Sequence, residues 1–221
     1  MKNKFDLIIF DWDGTLINSI DWIVSCIQKA ARHCDCRIPE AQEARNVIGL
    51  SLENALNQLF PDIDQSARLR LTRSYSENFL AKQAAQEDLF AGVYDMLVQL
   101  QQQGYQLAVA TGKSRMGLQK AMSGTGTEAL FNASRCADET ASKPDPTMIQ
   151  EIIGQLAAAN DRTLMVGDSI HDLQMAANAN ISCVAVSCGA HSSEQLMPYR
   201  PLRCLSRTTE LLHLLSRGSH D

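Results

Sequence analysis

Short apolar runs that end at polar residues recur along the chain. The first is Phe5–Phe10, which stops at Asp11, and later runs lie at 106–110, 163–166 and 181–186. Runs of this length, bounded by turn residues, predict buried β-strands. The segments between and after the later runs predict helices, at about 93–103, 114–122, 146–158, 169–179 and 208–215.

The order of these elements predicts the fold class. Strands that alternate with helices indicate a parallel sheet with helices on both faces, which is a Rossmann-like α/β core. In such folds ligands bind at the carboxyl ends of the strands. Polar residues that directly follow a strand are therefore the first candidates for functional groups.

The segment from residue 16 to 84 breaks the alternation, because it contains no convincing buried strand. It predicts four helices instead: one capped by Asn18 or Ser19 and running to about Cys34, and others beginning near Pro39, at Ser51 and at Ser66. We expect a small α-helical cap domain, 16–84, inserted after the first strand of an α/β core domain formed by 1–15 and 85–221. Such an insert would act as a lid that opens through its two links to the core.

Composition narrows the class of protein. The 221 residues carry a formal net charge of −5, which argues against a nucleic-acid partner. No apolar stretch reaches membrane-spanning length, and the N-terminus does not resemble a signal peptide, so we expect no membrane partner. Seven cysteines form no regular framework, which favours reduced thiols and a cytoplasmic protein.

The first strand delivers two carboxylates, Asp11 and Asp13, at its carboxyl end. Gly14 follows them and permits a sharp turn close to a ligand. Two adjacent carboxylates repel and raise each other's pKa unless a cation compensates them. This pattern predicts a divalent metal at the strand end.

Three further clusters follow later strands or precede helices. Thr111 and Gly112 offer a hydroxyl and a backbone amide, and Lys143 supplies a positive charge just before a helix. Asp168 and Asp172 lie four residues apart across a strand-to-helix junction, a spacing that can turn both carboxylates toward one centre. Together these groups predict a hard-cation site beside a phosphoryl-binding site.

The same residues resemble a known family. Asp11–Leu16, Thr111, Lys143 in Ser142–Pro146, and Gly167–Asp172 look like the four ordered motifs of the haloacid dehalogenase (HAD) superfamily. The helical insert resembles the cap of the subgroup that contains phosphoglycolate phosphatases and beta-phosphoglucomutases. Two positions depart from the usual pattern: Asn18 stands where Asp is common, and Gly112 where Asn is frequent.

The resemblance implies a role for each motif residue. Asp11 would be the nucleophile that forms an aspartyl-phosphate, and Asp13 would protonate the leaving group and then activate water. Thr111 and Lys143 would hold the phosphoryl oxygens, and Gly112 lies where the family contacts substrate. The catalytic set is therefore expected to be Asp11, Asp13 and Lys143.

The resemblance also implies the cofactor, Mg²⁺. Asp11, the backbone carbonyl of Asp13, Asp168 and, directly or through water, Asp172 would hold it. The expected activity is a Mg²⁺-dependent phosphoric monoester hydrolase.

Two alternatives stay open at this point. Family members that cleave carbon–halogen or carbon–phosphorus bonds lack an aspartate two residues after the nucleophile, so Asp13 favours phosphate esters. Phosphomutases of the beta-phosphoglucomutase type keep both acids, so the sequence does not separate them from phosphatases. A binding protein that keeps the fold without turnover is the third possibility.

The sequence says least about the substrate. The segment 47–51 is the candidate cap loop over the leaving group, and Arg45 is the one obvious cation near it. If Arg45 faces the cavity, a carboxylate or second phosphate on the substrate is expected. That would fit a small phosphorylated metabolite such as a phosphoglycolate-like compound or a sugar phosphate.

Overall fold

A parallel sheet forms the centre of the molecule. The computed structural model describes residues 4–216, and these form a six-stranded sheet in the order β3-β2-β1-β4-β5-β6, with every neighbouring pair parallel. The strands are β1 (Leu7–Phe10), β2 (Gln106–Thr111), β3 (Ala133–Cys136), β4 (Thr163–Gly167), β5 (Ser182–Val186) and β6 (Cys204–Leu205). This strand order is that of a Rossmann-like fold, so the predicted fold class is confirmed.

Helices follow the strands and fill the segment after β1. They are α1 (Ile20–His33), α2 (Ala41–Asn46), α3 (Leu52–Leu59), α4 (Gln65–Leu80), α5 (Val93–Gln102), α6 (Arg115–Thr125), α7 (Thr147–Leu156), α8 (Ile170–Asn178), α9 (Ser193–Leu196) and α10 (Leu211–Ser216). No helix in the part of the chain described here has both the length and the apolar character needed to cross a bilayer.

The central strand β1 is apolar at every position because both of its faces are covered. Ile8 and Phe10 pack into one hydrophobic cluster, and Leu7 and Ile9 into a second cluster on the other face of the sheet. All four side chains are fully buried. A continuous apolar run is typical of a parallel strand between two layers of helices. The residue after Phe10 lies at the carboxyl end of this strand.

Helices α1 to α4 form a separate insert between β1 and β2. They pack around their own apolar cluster, which includes Ile27, Leu56 and Leu71. Its two links to the core run side by side, since the amide of Asn18 donates to the carbonyl of Asp88 over 2.9 Å and the amide of Phe90 to that of Leu16 over 3.0 Å. We call α1–α4 and their connections the insert; its limits at 16 and 84 and its role as a lid stay predictions.

Several element assignments differ from the sequence-based ones. Strands β3 and β6 were not predicted, and α4 ends at Leu80 rather than near residue 86. Helix α7 begins at Thr147, one residue later than expected, with Pro146 as its N-cap residue, and the Asp145 carboxylate accepts hydrogen bonds from the Thr147 amide and hydroxyl. None of these differences moves the strand ends that carry the candidate residues.

Candidate active site

The sheet register brings the carboxyl ends of three strands together. Phe10 of β1 lies opposite Val109 of β2 and Val166 of β4. The backbone amide of Asp11 continues this pairing by donating to the carbonyl of Val166 over 2.9 Å. Asp11 therefore lies between the polar residues that end the two neighbouring strands.

Asp168 lies at the end of β4 and has both carboxylate oxygens hydrogen-bonded. The Thr15 hydroxyl donates to Oδ1 over 2.8 Å, and the Ala190 amide donates to Oδ2 over 2.7 Å. Gly14 permits this approach: its φ is +79°, and a Cβ there would lie 2.3 Å from Asp168 Oδ2. The glycine after the two aspartates is thus needed for both its backbone conformation and its lack of a side chain.

Asp172 is positioned by the start of α8. The amide and hydroxyl of Ser169 donate to its Oδ2 over 3.0 and 2.7 Å, in a capping box at the helix N-terminus. This geometry turns the Asp172 carboxylate back toward the end of β4. Across the spacing of four residues, one carboxylate oxygen of Asp172 lies within 4.8 Å of one of Asp168.

Lys143 connects Asp172 to Asp11. Its Nζ donates to Asp11 Oδ1 over 2.5 Å and to Asp172 Oδ1 over 2.6 Å, and its side chain is fully buried. Burial would by itself lower the pKa of Lys143, but the two carboxylates outweigh it and raise the pKa above its usual range. The lysine is therefore a fixed positive charge at the centre of the site.

The three carboxylates of Asp11, Asp168 and Asp172 can share a metal ion. One oxygen from each lies within 4.8 Å of the others, and all three residues are buried. Burial raises the pKa of Asp11 well above its ordinary value, and it raises the pKa of Asp168 to about 7, with the charge of Asp172 adding to both shifts. When ionised, the three buried carboxylates carry more negative charge than one lysine can neutralise. The set therefore fits a hard divalent cation with oxygen ligands.

Asp13 lies outside that cluster and has different partners. Its Oδ1 accepts from the Ser19 hydroxyl over 2.7 Å, and Lys113 Nζ contacts both of its carboxylate oxygens, at 3.0 and 3.1 Å. The Lys113 side chain is only 7% exposed, and its ammonium lies 4.3 Å from the centre of the Phe79 ring. The Asp13 side chain is thus held away from the other carboxylates and next to the insert.

A cavity of about 190 Å³ opens beside Asp11 and Asp13, between the core and the insert. Thr111, Gly112 and Lys113 line its core side. Apolar side chains of the insert line much of the rest, among them Ile23, Ile27, Leu50, Leu56, Tyr75 and Phe79.

The loop between α2 and α3 closes one end of this cavity. The Ser51 amide donates to the hydroxyl of Ser142 over 2.8 Å, and His171 Nε2 lies 3.1 Å from the carbonyl oxygen of Asn46. The first contact joins the cap loop to the core loop before α7, and the second joins the end of α2 to the first turn of α8. The predicted cap loop 47–51 thus contacts the loop that carries Lys143.

Apart from Arg45, the sequence-predicted residues fall into two groups. Asp11, Asp168, Asp172 and Lys143 form one buried cluster, whereas Thr111, Gly112 and Asp13 line the cavity next to it. Arg45 is in neither group. Its guanidinium pairs with Asp21 over 2.5 Å, and among the described residues it is not one of those that line the cavity.

Two contributors were missed by sequence reasoning. The side chain of Lys113, which was not among the predicted site residues, enters the site, and Ser169 orients Asp172. Ser169 could have been found, because Ser-x-x-Asp at a helix start is typical of a capping box. Nothing in the sequence indicates that Lys113 and Asp13, 100 residues apart, are paired.

The chain is similar in sequence to known proteins. A family model described as "Haloacid dehalogenase-like hydrolase" matches residues 8–186. A curated relative named "Probable phosphatase IndB", from Dickeya dadantii, is 34% identical over 199 residues, which cover 88% of this chain and 86% of the relative. "Pyrophosphatase PpaX" from Bacillus mycoides is 28% identical over 215 residues, covering 97% and 98%.

A solved structure is similar over the whole described fold. The crystal structure of a hydrolase from Pseudomonas syringae has a TM-score of 0.85 at 21% identity, and the match covers 97% of this chain and 100% of that one. At this identity the likeness concerns the fold.

Proposed function

Because the chain belongs to the haloacid dehalogenase-like hydrolase family, we propose that it is a Mg²⁺-dependent phosphatase acting through an aspartyl-phosphate. The substrate class is a small phosphorylated metabolite. Relatives named phosphatase and pyrophosphatase support phosphoryl chemistry. The observation that carries the proposal is the contact of one buried ammonium, Lys143, with both Asp11 and Asp172, beside a set of carboxylates suited to a divalent cation.

The first chemical step belongs to Asp11. A carboxylate oxygen of Asp11 attacks phosphorus, the bond from phosphorus to the ester oxygen breaks, and the phosphoryl group is transferred to Asp11. Lys143 holds Asp11 in place and faces the incoming phosphoryl oxygens, and the Thr111 hydroxyl donates to another of them. Mg²⁺, held by Asp11, Asp168 and Asp172, would supply positive charge that compensates the phosphoryl oxygens.

Asp13 carries the proton in both steps. It donates a proton to the departing ester oxygen, and in its ionised form it then accepts a proton from the water that attacks the aspartyl-phosphate. Attack by water breaks the bond between phosphorus and the Asp11 oxygen and releases inorganic phosphate. Asp13 lines the same cavity as Asp11, which supports this role, because the leaving group must lie in the cavity.

Phosphate release from acetyl phosphate and p-nitrophenyl phosphate tests the proposal. With Mg²⁺ we expect turnover that EDTA abolishes and that falls at least about 10³-fold in Asp11→Asn, since the nucleophile is lost. Asp21→Asn, which changes an exposed aspartate of the insert, is the matched control and should keep full activity. Turnover that is unchanged in Asp11→Asn contradicts the proposal.

The alternatives have distinct results in the same assays. A phosphomutase would interconvert sugar phosphates faster than it releases phosphate, and a binding protein would release none. Phosphoglycolate-like compounds and sugar phosphates, which the family resemblance suggests, belong in the first substrate panel. The same proposal places the reaction in the cytoplasm, which is supported by seven cysteines that are all free thiols.

A further inference from the structure

The cavity lined by both Asp11 and Asp13 is where the leaving group of a phosphate ester must lie. Its insert side is formed by side chains without charge from three helices and the loop between α2 and α3. The large aliphatic and aromatic side chains among them include Ile23, Ile27, Leu50, Leu56 and Phe79. A group that enters this space exchanges water for hydrocarbon contacts, so its apolar surface adds to binding.

The charges in the lining are already compensated. Among the described lining residues, the charged side chains are Asp11, Asp13 and Lys113. Lys113 contacts both oxygens of Asp13, and the Phe79 ring lies against its ammonium. Arg45, the cation expected at this place from the sequence, pairs with Asp21 instead. A carboxylate or second phosphate on the leaving group would therefore lose its water without gaining a free cation.

Two aromatic rings of α4 give the cavity a flat wall. Tyr75 and Phe79 stack with their ring centres 5.6 Å apart and their planes 14° apart, and both line the cavity. Burial raises the pKa of the Tyr75 hydroxyl well above its usual range, as expected for a group surrounded by apolar side chains. Rings paired in this way can make stacked or edge-to-face contacts with an aromatic ring of the leaving group.

We infer that the substrate is a phosphate monoester whose leaving group is uncharged and carries an apolar body, such as an aromatic ring or a short hydrocarbon chain. This rests on the proposed phosphatase function and specifies its substrate class. It replaces the expectation of an anionic leaving group, which depended on Arg45.

Three esters of primary alcohols test the inference: propyl phosphate, 3-phenylpropyl phosphate and 3-carboxypropyl phosphate. Their leaving oxygens are chemically alike, so differences in kcat/KM report contacts of the remaining group. We expect kcat/KM for the phenyl compound to exceed that for propyl phosphate at least about tenfold, and that for the carboxyl compound to fall below it.

Substitution of one cavity residue tests whether the cavity determines the preference for the phenyl compound over propyl phosphate. Phe79→Ala should lower the ratio of kcat/KM for the phenyl and propyl compounds at least about fivefold. Leu59→Ala is the control, because Leu59 is a buried insert residue that does not line the cavity, and it should leave the ratio unchanged. The ratio is independent of the folded fraction, so partial unfolding of either variant does not affect the result.

Acetyl phosphate separates the two possible failures. Hydrolysis of acetyl phosphate together with equal rates on all three esters, or a preference for the carboxyl compound, overturns the inference and leaves the phosphatase function standing. An unchanged ratio in Phe79→Ala also overturns it. Lack of turnover on every compound, acetyl phosphate included, overturns the proposed function and this inference with it.

Discussion

A Cβ atom on Gly112 would lie 2.3 Å from the carbonyl oxygen of Leu50. The backbone of the core after β2 therefore passes closer to the cap loop of the insert than any side chain at position 112 allows. This gives a physical reason for glycine at a position where the family frequently has asparagine. Gly112 and Leu50 both line the cavity, as does the neighbouring Thr111.

We predict that Gly112→Ala prevents the cap loop from reaching its present position. The methyl group must displace backbone atoms of residues 49 and 50, which are not free to move as a side-chain end is. Because a shift of about 1 Å in a catalytic arrangement can cost about 10²-fold, kcat/KM on an ester substrate should fall about 10- to 100-fold. Steady-state kinetics with propyl phosphate measures this.

Gly154→Ala is the matched control for that experiment. A Cβ at this exposed position in α7 meets no atom within 4 Å, so activity should be unchanged and stability should rise slightly. If Gly112→Ala has the kinetics of Gly154→Ala, the close approach of core and insert has no part in catalysis.

The sequence was sufficient for the residues that follow strands. Asp11, Thr111 and Asp168 each end an apolar run, and parallel strands bring such ends together whatever the loops do. β3 was missed because its sequence, Ala133–Cys136, includes half-buried serine and arginine and lacks an apolar run. β6 has two residues at the edge of the sheet, too few to form a pattern.

The positions of long charged side chains were beyond the sequence. Both Arg45 and Lys113 have several rotatable bonds, and each pairs with a carboxylate distant in the chain, Asp21 and Asp13 respectively. The Arg45 pair depends on how α2 packs against α1, and the Lys113 pair depends on how the loops after β1 and β2 meet. For this reason the sequence indicated which acidic residues cluster with Lys143, but it did not indicate the partners of Arg45 and Lys113.

We predict that Arg45→Ala leaves catalysis nearly unchanged. Arg45 pairs with an aspartate whose side chain is 88% exposed, and such surface pairs contribute about 0 to 1 kcal/mol to stability. Its guanidinium is committed to that pair, so kcat/KM should stay within about threefold of the wild type on both neutral and carboxylate-bearing esters. A tenfold loss confined to the carboxylate-bearing ester would mean that Arg45 moves into the cavity when substrate binds.

We predict that Lys143→Met abolishes turnover and lowers the free energy of unfolding in EDTA by about 3 to 5 kcal/mol. The substitution leaves Asp11 and Asp172 buried without their cation. Mg²⁺ should raise the melting temperature of this variant more than that of the wild type, because no ammonium competes with the ion for the carboxylates. Thermal unfolding of both proteins with EDTA and with Mg²⁺ measures the two effects.

The control for Lys143→Met is Lys120→Met, at an exposed position of α6. It removes the same charge from the surface and should change neither turnover nor the response to Mg²⁺. An equal Mg²⁺ response in Lys143→Met and the wild type would indicate that Lys143 and the metal do not share ligands.

The raised pKa of Asp168 makes the stability of the metal-free protein depend on pH. Burial and the neighbouring charge of Asp172 raise this pKa from 3.8 to about 7, so the folded protein binds the proton more tightly than the unfolded chain does. The contribution of Asp168 to the free energy of unfolding is therefore fully present below about pH 4 and is lost as the pH rises through about 7. A metal ion reverses this trend, because it binds the ionised carboxylate and stabilises the fold more as the pH rises.

We expect the free energy of unfolding of the wild type in EDTA, relative to Asp168→Asn, to fall between about pH 5 and pH 8, and the stabilisation of the wild type by Mg²⁺ to grow over the same range. Urea unfolding at several pH values gives both quantities, and the comparison with Asp168→Asn cancels the titration of groups that do not interact with Asp168. A difference between the two proteins that rises with pH in EDTA would mean that Asp168 is ionised in the metal-free fold, and its charge would then be compensated by something other than a bound proton or metal ion.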